Sequence, residues 1–215
     1  LGLLIGKWYL GVSLTQLAVL ISDPEGKALS FTIFFQFLSQ LGMFILPALF
    51  YGFFVSAKPA GYLKISKEPS AVSLLIVTFA VYAILPFINY LQDINQGLHI
   101  STGIDYWIRT KEAQAQQLTE AFLKTESFGG LSINLIVMAL MPAIGEELIF
   151  RGIVQRLFVK MTRNVHIGIF ITAFIFSAIH IQFLGFLPRF ILGIMLGYAF
   201  VVSGSLWTPI WLHFV

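Results

Sequence analysis

Glu146-Glu147-Leu148-Ile149-Phe150-Arg151 places two carboxylates and a guanidinium inside a stretch that otherwise reads as membrane-spanning. Nothing from Ser127 to Gly145 is charged, and Gly152-Ile153-Val154 resumes the apolar run. A charge at mid-bilayer costs at least ~2.5–3.5 kcal/mol on insertion scales, so it is kept where it faces protein or a wet cavity. The stretch therefore predicts a buried transmembrane helix that carries a polar site.

The composition agrees. Of 215 residues, 58% are hydrophobic and 11% charged, and 22 are Phe, whereas a soluble domain is about a quarter charged. Uncharged runs at Ala28–Ala57, Pro69–Gln92, Asn164–Pro188 and Phe190–Val215 each reach the ~20 apolar residues that a spanning helix needs. The expected fold class is all-α, a polytopic transmembrane helical bundle of about seven or more spans with its site in a cavity between C-terminal helices. The partner this implies is the lipid bilayer. The formal charge of +3 comes from Lys and Arg at helix ends and gives no reason to expect nucleic acid. The lack of cysteine excludes disulfides, Cys-bound metal and a thiol nucleophile. The chain starts at Leu1 and stops at Val215 within an apolar run, which reads as truncation at both ends. Leu1–Ile21 has the length of a span rather than of a cleavable signal peptide.

Apolar runs and their breakers predict helices over about 1–21, 30–56, 71–91, 130–161, 165–184 and 188–203, with a last one from about 206. Asp23-Pro24-Glu25-Gly26 forms the first turn. Residues 1–128 make an N-terminal region of transmembrane helices, and 129–215 the region that carries the site. A polar helix near 105–124 lies at the membrane interface, with Tyr106 and Trp107 at headgroup level, or is an ordinary solvated connection. Lys58, Lys64 and Lys67 stand against Glu68 in the 57–70 loop, and Arg156, Lys160 and Arg163 stand alone in 156–166. Over 92–128 there are five acids and three bases. The positive-inside rule then puts the first two loops in the cytoplasm and the third outside. Glu146 falls roughly 15 Å from Arg156 at ~1.5 Å per residue, near mid-bilayer, with Pro142 able to kink its helix.

Glu147 and Arg151 are four apart, on one helix face, and can pair. Glu146 points about 100° away, so one acid is held by Arg151 while the other faces a cavity. Gly145 and Gly152 permit close helix approach. A buried ion pair that merely locks the bundle explains only one of the two acids. His180 lies deep in Phe176-Ser177-Ala178-Ile179-His180, and His213 in Trp211-Leu212-His213-Phe214. His99 and His166 fall in loops or at helix ends and receive no role. A carboxylate and two imidazoles from three helices admit two chemistries. In one, Glu146 is a general base toward water and the histidines stabilise an oxyanion or protonate a leaving amine. In the other, Glu146, His180 and His213 form a 2-His-1-carboxylate metal site, for which zinc is a possible ion.

Together the motifs resemble those of the CPBP family of intramembrane endopeptidases, which includes the type II CAAX prenyl endopeptidases and bacterial proteins of bacteriocin processing or immunity. Glu146-Glu147 with Arg151 matches EExxxR, Phe176 with His180 matches FxxxH, and His213 stands where a third motif, HxxxN or similar, begins. The similar region runs from about Asn134 onward. The resemblance implies that Glu146 activates the attacking water and that Glu147 and Arg151 support the site. It implies that His180 and His213 position water or stabilise the tetrahedral intermediate. It further implies a membrane-associated peptide or protein as substrate and a multi-pass protein of the bacterial inner membrane. The family is described both as metalloproteases and as metal-independent glutamic proteases; the glutamic reading, with no required cofactor, is preferred because a buried Glu among helices can activate water without a metal. Two rivals are a non-catalytic protein that binds a partner or confers bacteriocin immunity, and a proton relay in a transporter. The second would show paired repeats or broken helices in both halves, and the sequence has neither.

Overall fold

The computed structural model describes Gly11, Ser13 and residues 27–98, 102–125 and 127–215. The expected first helix over 1–21, the turn at Asp23-Pro24-Glu25-Gly26 and His99 lie outside them. Among the described residues the regular elements are all helices, and there is no strand. The helices are α1 (27–55), α2 (Pro59–Tyr62), α3 (Ala71–Gln96), α4 (Thr102–Leu123), α5 (Phe128–Thr162), α6 (Val165–Ala178), α7 (Phe186–Ser203) and α8 (Trp207–Phe214). A 3₁₀ turn, Phe183–Gly185, leads into α7.

Local sequence sets several of these bounds. Ser70, Ser127 and Asn164 cap α3, α5 and α6, each side chain accepting from a backbone N–H three residues on. Gly204, with φ of 63°, ends α7 in the left-handed region that glycine enters freely. α1 and α5 contain π-helical turns at Leu41–Ile45 and Ile136–Leu140, and in both a proline follows two residues later, Pro47 and Pro142. A proline offers no N–H to the carbonyl four residues back and clashes with it. The wider π turn relieves that conflict, so the expected bend at Pro142 takes this form.

Among the described residues four stretches are long and apolar enough to cross a membrane: Ala28–Val55, Ala71–Gln96, Phe128–Thr162 and Phe183–Ser203. This is an integral membrane protein. α1 and α3 bury little of themselves and turn side chains such as Phe53, Phe54, Ile76 and Phe79 outward. α5 and α7 are more buried. Several polar residues of the spanning helices and their ends lie inside, among them Gln40, Asn95, Asn134, Gln155, Thr172 and Ser177. An apolar exterior around a polar interior is the arrangement that a lipid solvent favours.

α5 is the axis. Its 141–149 segment packs on the π turn of α1 and on α8, and its later part on α6, which pairs along its length with α7. Gly145 lets α1 approach, since a Cβ there would stand 2.9 Å from that of Phe44, and Gly152 receives Leu63. Ala143, Leu148, Phe200, Leu206 and Ile210 fill the core between α5, α7 and α8.

The two basic segments meet at one end of the bundle. Arg156 donates to the Tyr62 carbonyl, and its guanidinium lies 4.0 Å over the Tyr62 ring. The 57–70 loop is stitched to the α7–α8 turn by Lys67 Nζ to Ser203 O at 2.6 Å and Trp207 Nε1 to Ile65 O at 2.8 Å. α4 spans Thr102–Leu123, close to the expected 105–124, with Ile108 and Phe122 buried and Tyr106 and Trp107 exposed.

Candidate active site

α5 presents Glu146, Glu147 and Arg151 to the interior, and all three are buried. The pair read from the spacing forms: Arg151 Nη1 donates to Glu147 Oε1 at 2.6 Å, with both side chains fully out of solvent. Arg151 lies on a second π turn, Phe150–Gln155, and its Nη2 donates to Gly193 O on α7 at 3.0 Å. One helical turn later Gln155 Nε2 repeats the contact on Gly197 O at 3.2 Å. Gly193 and Gly197 are the reason these side chains reach a helix backbone. A Cβ at 197 would stand 2.9 Å from Gln155 Oε1 and 2.7 Å from Ile169 Cγ2.

Glu146 faces elsewhere. Its Oε2 lies 3.9 Å from His180 Nε2 and 3.9 Å from His213 Nε2. The two histidines are fixed through their other nitrogens. His180 Nδ1 is 2.7 Å from Phe176 O, and a carbonyl only accepts, so Nδ1 carries the proton. His213 Nδ1 is 2.9 Å from Glu147 Oε1, which already accepts from Arg151, so it donates as well. In the neutral rings Nε2 is then a bare acceptor. Three acceptors, one carboxylate oxygen and two imidazole nitrogens, converge on one space.

That space suits a water molecule. At 3.9 Å the groups are too far apart to bond directly. An oxygen about 2.8 Å from each would bridge them at an angle of about 90°. A metal fits less well. At ~2.1 Å from each ligand, a 3.9 Å separation subtends an angle of about 140°, far wider than tetrahedral zinc uses. Among the described residues no group of three His, Cys, Asp or Glu is arranged to hold a metal ion.

Phe176 organises the set. It meets Phe150 edge-on at 5.1 Å, His180 at 5.2 Å and His213 at 6.0 Å, and Arg151 Cζ lies 4.8 Å over its ring. A cavity of about 300 Å³ opens beside it, lined by Val81, His180, Arg189, Leu212 and His213 among others. His166, given no role, bonds Tyr198 at 2.6 Å at an exposed position away from this cluster.

One expectation is corrected. The helix predicted over 165–184 ends at Ala178, and His180 sits in the turn beyond it. Ile181 there has φ of 54°, a conformation unfavourable for a β-branched residue, so the surroundings must hold the loop. Asn95, buried at the end of α3, does so. Its Nδ2 donates to Phe183 O at 2.5 Å and its Oδ1 accepts from Leu187 N at 3.2 Å. Glu112 of α4 accepts from Leu184 N at 3.1 Å, and Ser177 Oγ donates to Phe186 O at 2.7 Å. Sequence reading missed Asn95, Glu112 and Arg189. Arg189 did leave a signal: it is the one Asp, Glu, Lys or Arg between Arg163 and the end of the chain.

Comparison with known proteins falls on this region. Residues 128–215, α5 through α8, match the family model of the Rce1-like type II CAAX prenyl endopeptidases. An uncharacterized protein, YpbD of Bacillus subtilis (strain 168), is 30% identical over 86 residues, 38% of this chain and 41% of its own length. The chain thus matches less than half of that relative. No solved structure matches. The likeness to CAAX-type endopeptidases expected from the motifs holds for residues 128–215.

Proposed function

We propose that this protein is an intramembrane endopeptidase in which Glu146 activates water against a peptide bond of a membrane-associated protein or peptide. The observation that carries the reading is the convergence of His180 Nε2 and His213 Nε2 on Glu146 Oε2, each at 3.9 Å. Glu146 and one imidazole accept the water's two hydrogens, which leaves its oxygen lone pairs for attack. Glu146 takes a proton as the water oxygen adds to the scissile carbonyl, and returns it to the amine nitrogen as the tetrahedral species collapses. Glu147, tied to Arg151, holds the His213 ring so that Nε2 faces Glu146. The match to a family of CAAX-type endopeptidases supports the reaction class.

No cofactor is required by this scheme, and a zinc ion held by Glu146, His180 and His213 is the alternative that a chelator tests. In the proposal the bundle has about seven or more spans, with α6 and α8 packed among them. The proposed membrane is that of a bacterial cell, a reading supported by the likeness to a Bacillus protein.

The test is cleavage of a membrane-anchored reporter peptide library by purified protein, wild type beside Glu146→Gln, with and without a strong chelator. Loss of activity in the variant and retention with chelator is the expected result, because Gln cannot take the proton. Wild-type turnover by Glu146→Gln would remove the mechanism, and loss with chelator would shift it to a metal.

A further inference from the structure

A proteolytic site must do more than generate a nucleophile, because adding water to a carbonyl creates an oxyanion that needs hydrogen-bond donors. The donors already described are committed or lie off the cavity. His180 Nδ1 is spent on Phe176 O and His213 Nδ1 on Glu147. Arg151 gives Nη1 to Glu147 and Nη2 to Gly193 O, and although its Nε has no partner, Arg151 does not line the cavity. Of the residues that line the cavity, His180, Arg189 and His213 are the ones with polar side chains. With both imidazoles presenting acceptors there, Arg189 is the donor that remains.

Its guanidinium is held and unfinished. Nη2 donates to Gln182 Oε1 at 2.6 Å, while Nη1 is buried with no hydrogen-bond partner. Gly185 leaves room for it, since a Cβ there would stand 3.2 Å from Nη2. Among the described residues no carboxylate lies within ion-pair distance of it, although Glu112 and Glu146 are close enough to act on it electrostatically. A guanidinium so enclosed, in a helix of spanning character, is costly, and Arg189 lines the same cavity as His180 and His213 with one buried N–H unmet, which calls for an acceptor that arrives with the reaction.

We propose that Arg189 is a catalytic residue whose free Nη1–H receives the oxyanion formed when water adds to the substrate carbonyl. The inference rests on the proteolytic reading above. The carbon–oxygen π pair moves onto the carbonyl oxygen as the water oxygen bonds to carbon and its proton passes to Glu146. Collapse re-forms the carbonyl, breaks the carbon–nitrogen bond and releases the amine with the proton from Glu146. Arg189 neither gains nor loses a proton. Because its contact strengthens as charge develops, its loss should appear in kcat rather than KM.

The experiment compares wild type, Glu146→Gln, Arg189→Gln and Arg189→Ala, purified as the full chain, on a membrane-anchored peptide that wild type cleaves. Arg189→Gln is expected to lower kcat by about 10²–10³-fold, as loss of an oxyanion donor does, with KM unchanged. Added guanidinium ion is expected to restore part of the kcat of Arg189→Ala, a recovery that a merely structural arginine would not show. Retained kcat, a change confined to KM, or loss that guanidinium does not relieve would each overturn the assignment of Arg189 while leaving Glu146 in place. No cleavage by wild type, or wild-type rates in Glu146→Gln, would instead overturn the proteolytic reading and this inference with it.

Discussion

Removing the Arg151 guanidinium by Arg151→Met should be more damaging than removing the whole ion pair. Both partners have no exposure, so neither charge can fall back on water. Arg151 supplies Glu147 with a 2.6 Å bond, and without it the carboxylate keeps the His213 Nδ1–H at 2.9 Å as its remaining contact. Stranding one member of a buried pair costs about 3–5 kcal/mol, a shift of at least about a hundredfold in the folded population. The pair itself is imperfect, since Glu147 Oε2 and Arg151 Nε have no partner among the described residues. Replacing both by neutral groups, Glu147→Gln with Arg151→Met, should therefore cost less than Arg151→Met alone. The assay is equilibrium unfolding in mixed micelles, arranged as a double-mutant cycle. A loss below about 1 kcal/mol for Arg151→Met would refute the reasoning. It would be near the ~0.6 kcal/mol average of ordinary interhelical hydrogen bonds in membranes, and the site would then be wet. A double variant less stable than Arg151→Met would refute it equally.

Three further outcomes follow from the same contacts. Asn95→Ala strands Phe183 O and Leu187 N, should cost about 1–3 kcal/mol, and should speed amide exchange over 181–187 while lowering kcat; unchanged exchange there would remove Asn95 as the clamp of the His180 loop. Gly168→Ala should destabilise by about 1–3 kcal/mol or more, because the new Cβ would stand 2.8 Å from Val159 N and 3.0 Å from Val159 Cα, backbone that cannot swing aside. Gly129→Ala, with nothing within 4 Å, is its control and should unfold within about 0.5 kcal/mol of wild type. Phe176→Ala should cost about 3–5 kcal/mol and reduce cleavage, since both histidines and Arg151 rest on that ring; an active, stable variant would show that the ring orients nothing.

Much of this was legible in the residues because the signals were local. Charge-free runs are properties of consecutive residues, and α1 and α3 lie where those runs placed them, while α5 and α7 lie close to the helices expected from the wider apolar pattern. The Glu147–Arg151 pair was readable for the same reason, as a four-residue step on a helix fixes both side chains on one face. The end of α6 was not readable. Ile179 through Phe183 are apolar or neutral and continue the run, and the loop that follows the helix is held by Asn95 and Glu112, dozens of residues away in sequence.

The sequence by itself determined a helical membrane protein with a polar site on α5, because hydropathy and helical period act within a single segment. It also supplied Glu146, His180 and His213 as candidates through their depth and order. Which atoms meet was left to the tertiary structure. That both Nε2 atoms turn to one oxygen of Glu146, that Glu147 is shared between Arg151 and His213, and that Arg189 keeps a free donor beside them depends on how α5, α6, α7 and α8 cross. The physical reason is that a hydrogen bond between helices is set by the approach of two backbones, and in this bundle Gly145, Gly193 and Gly197 set that approach.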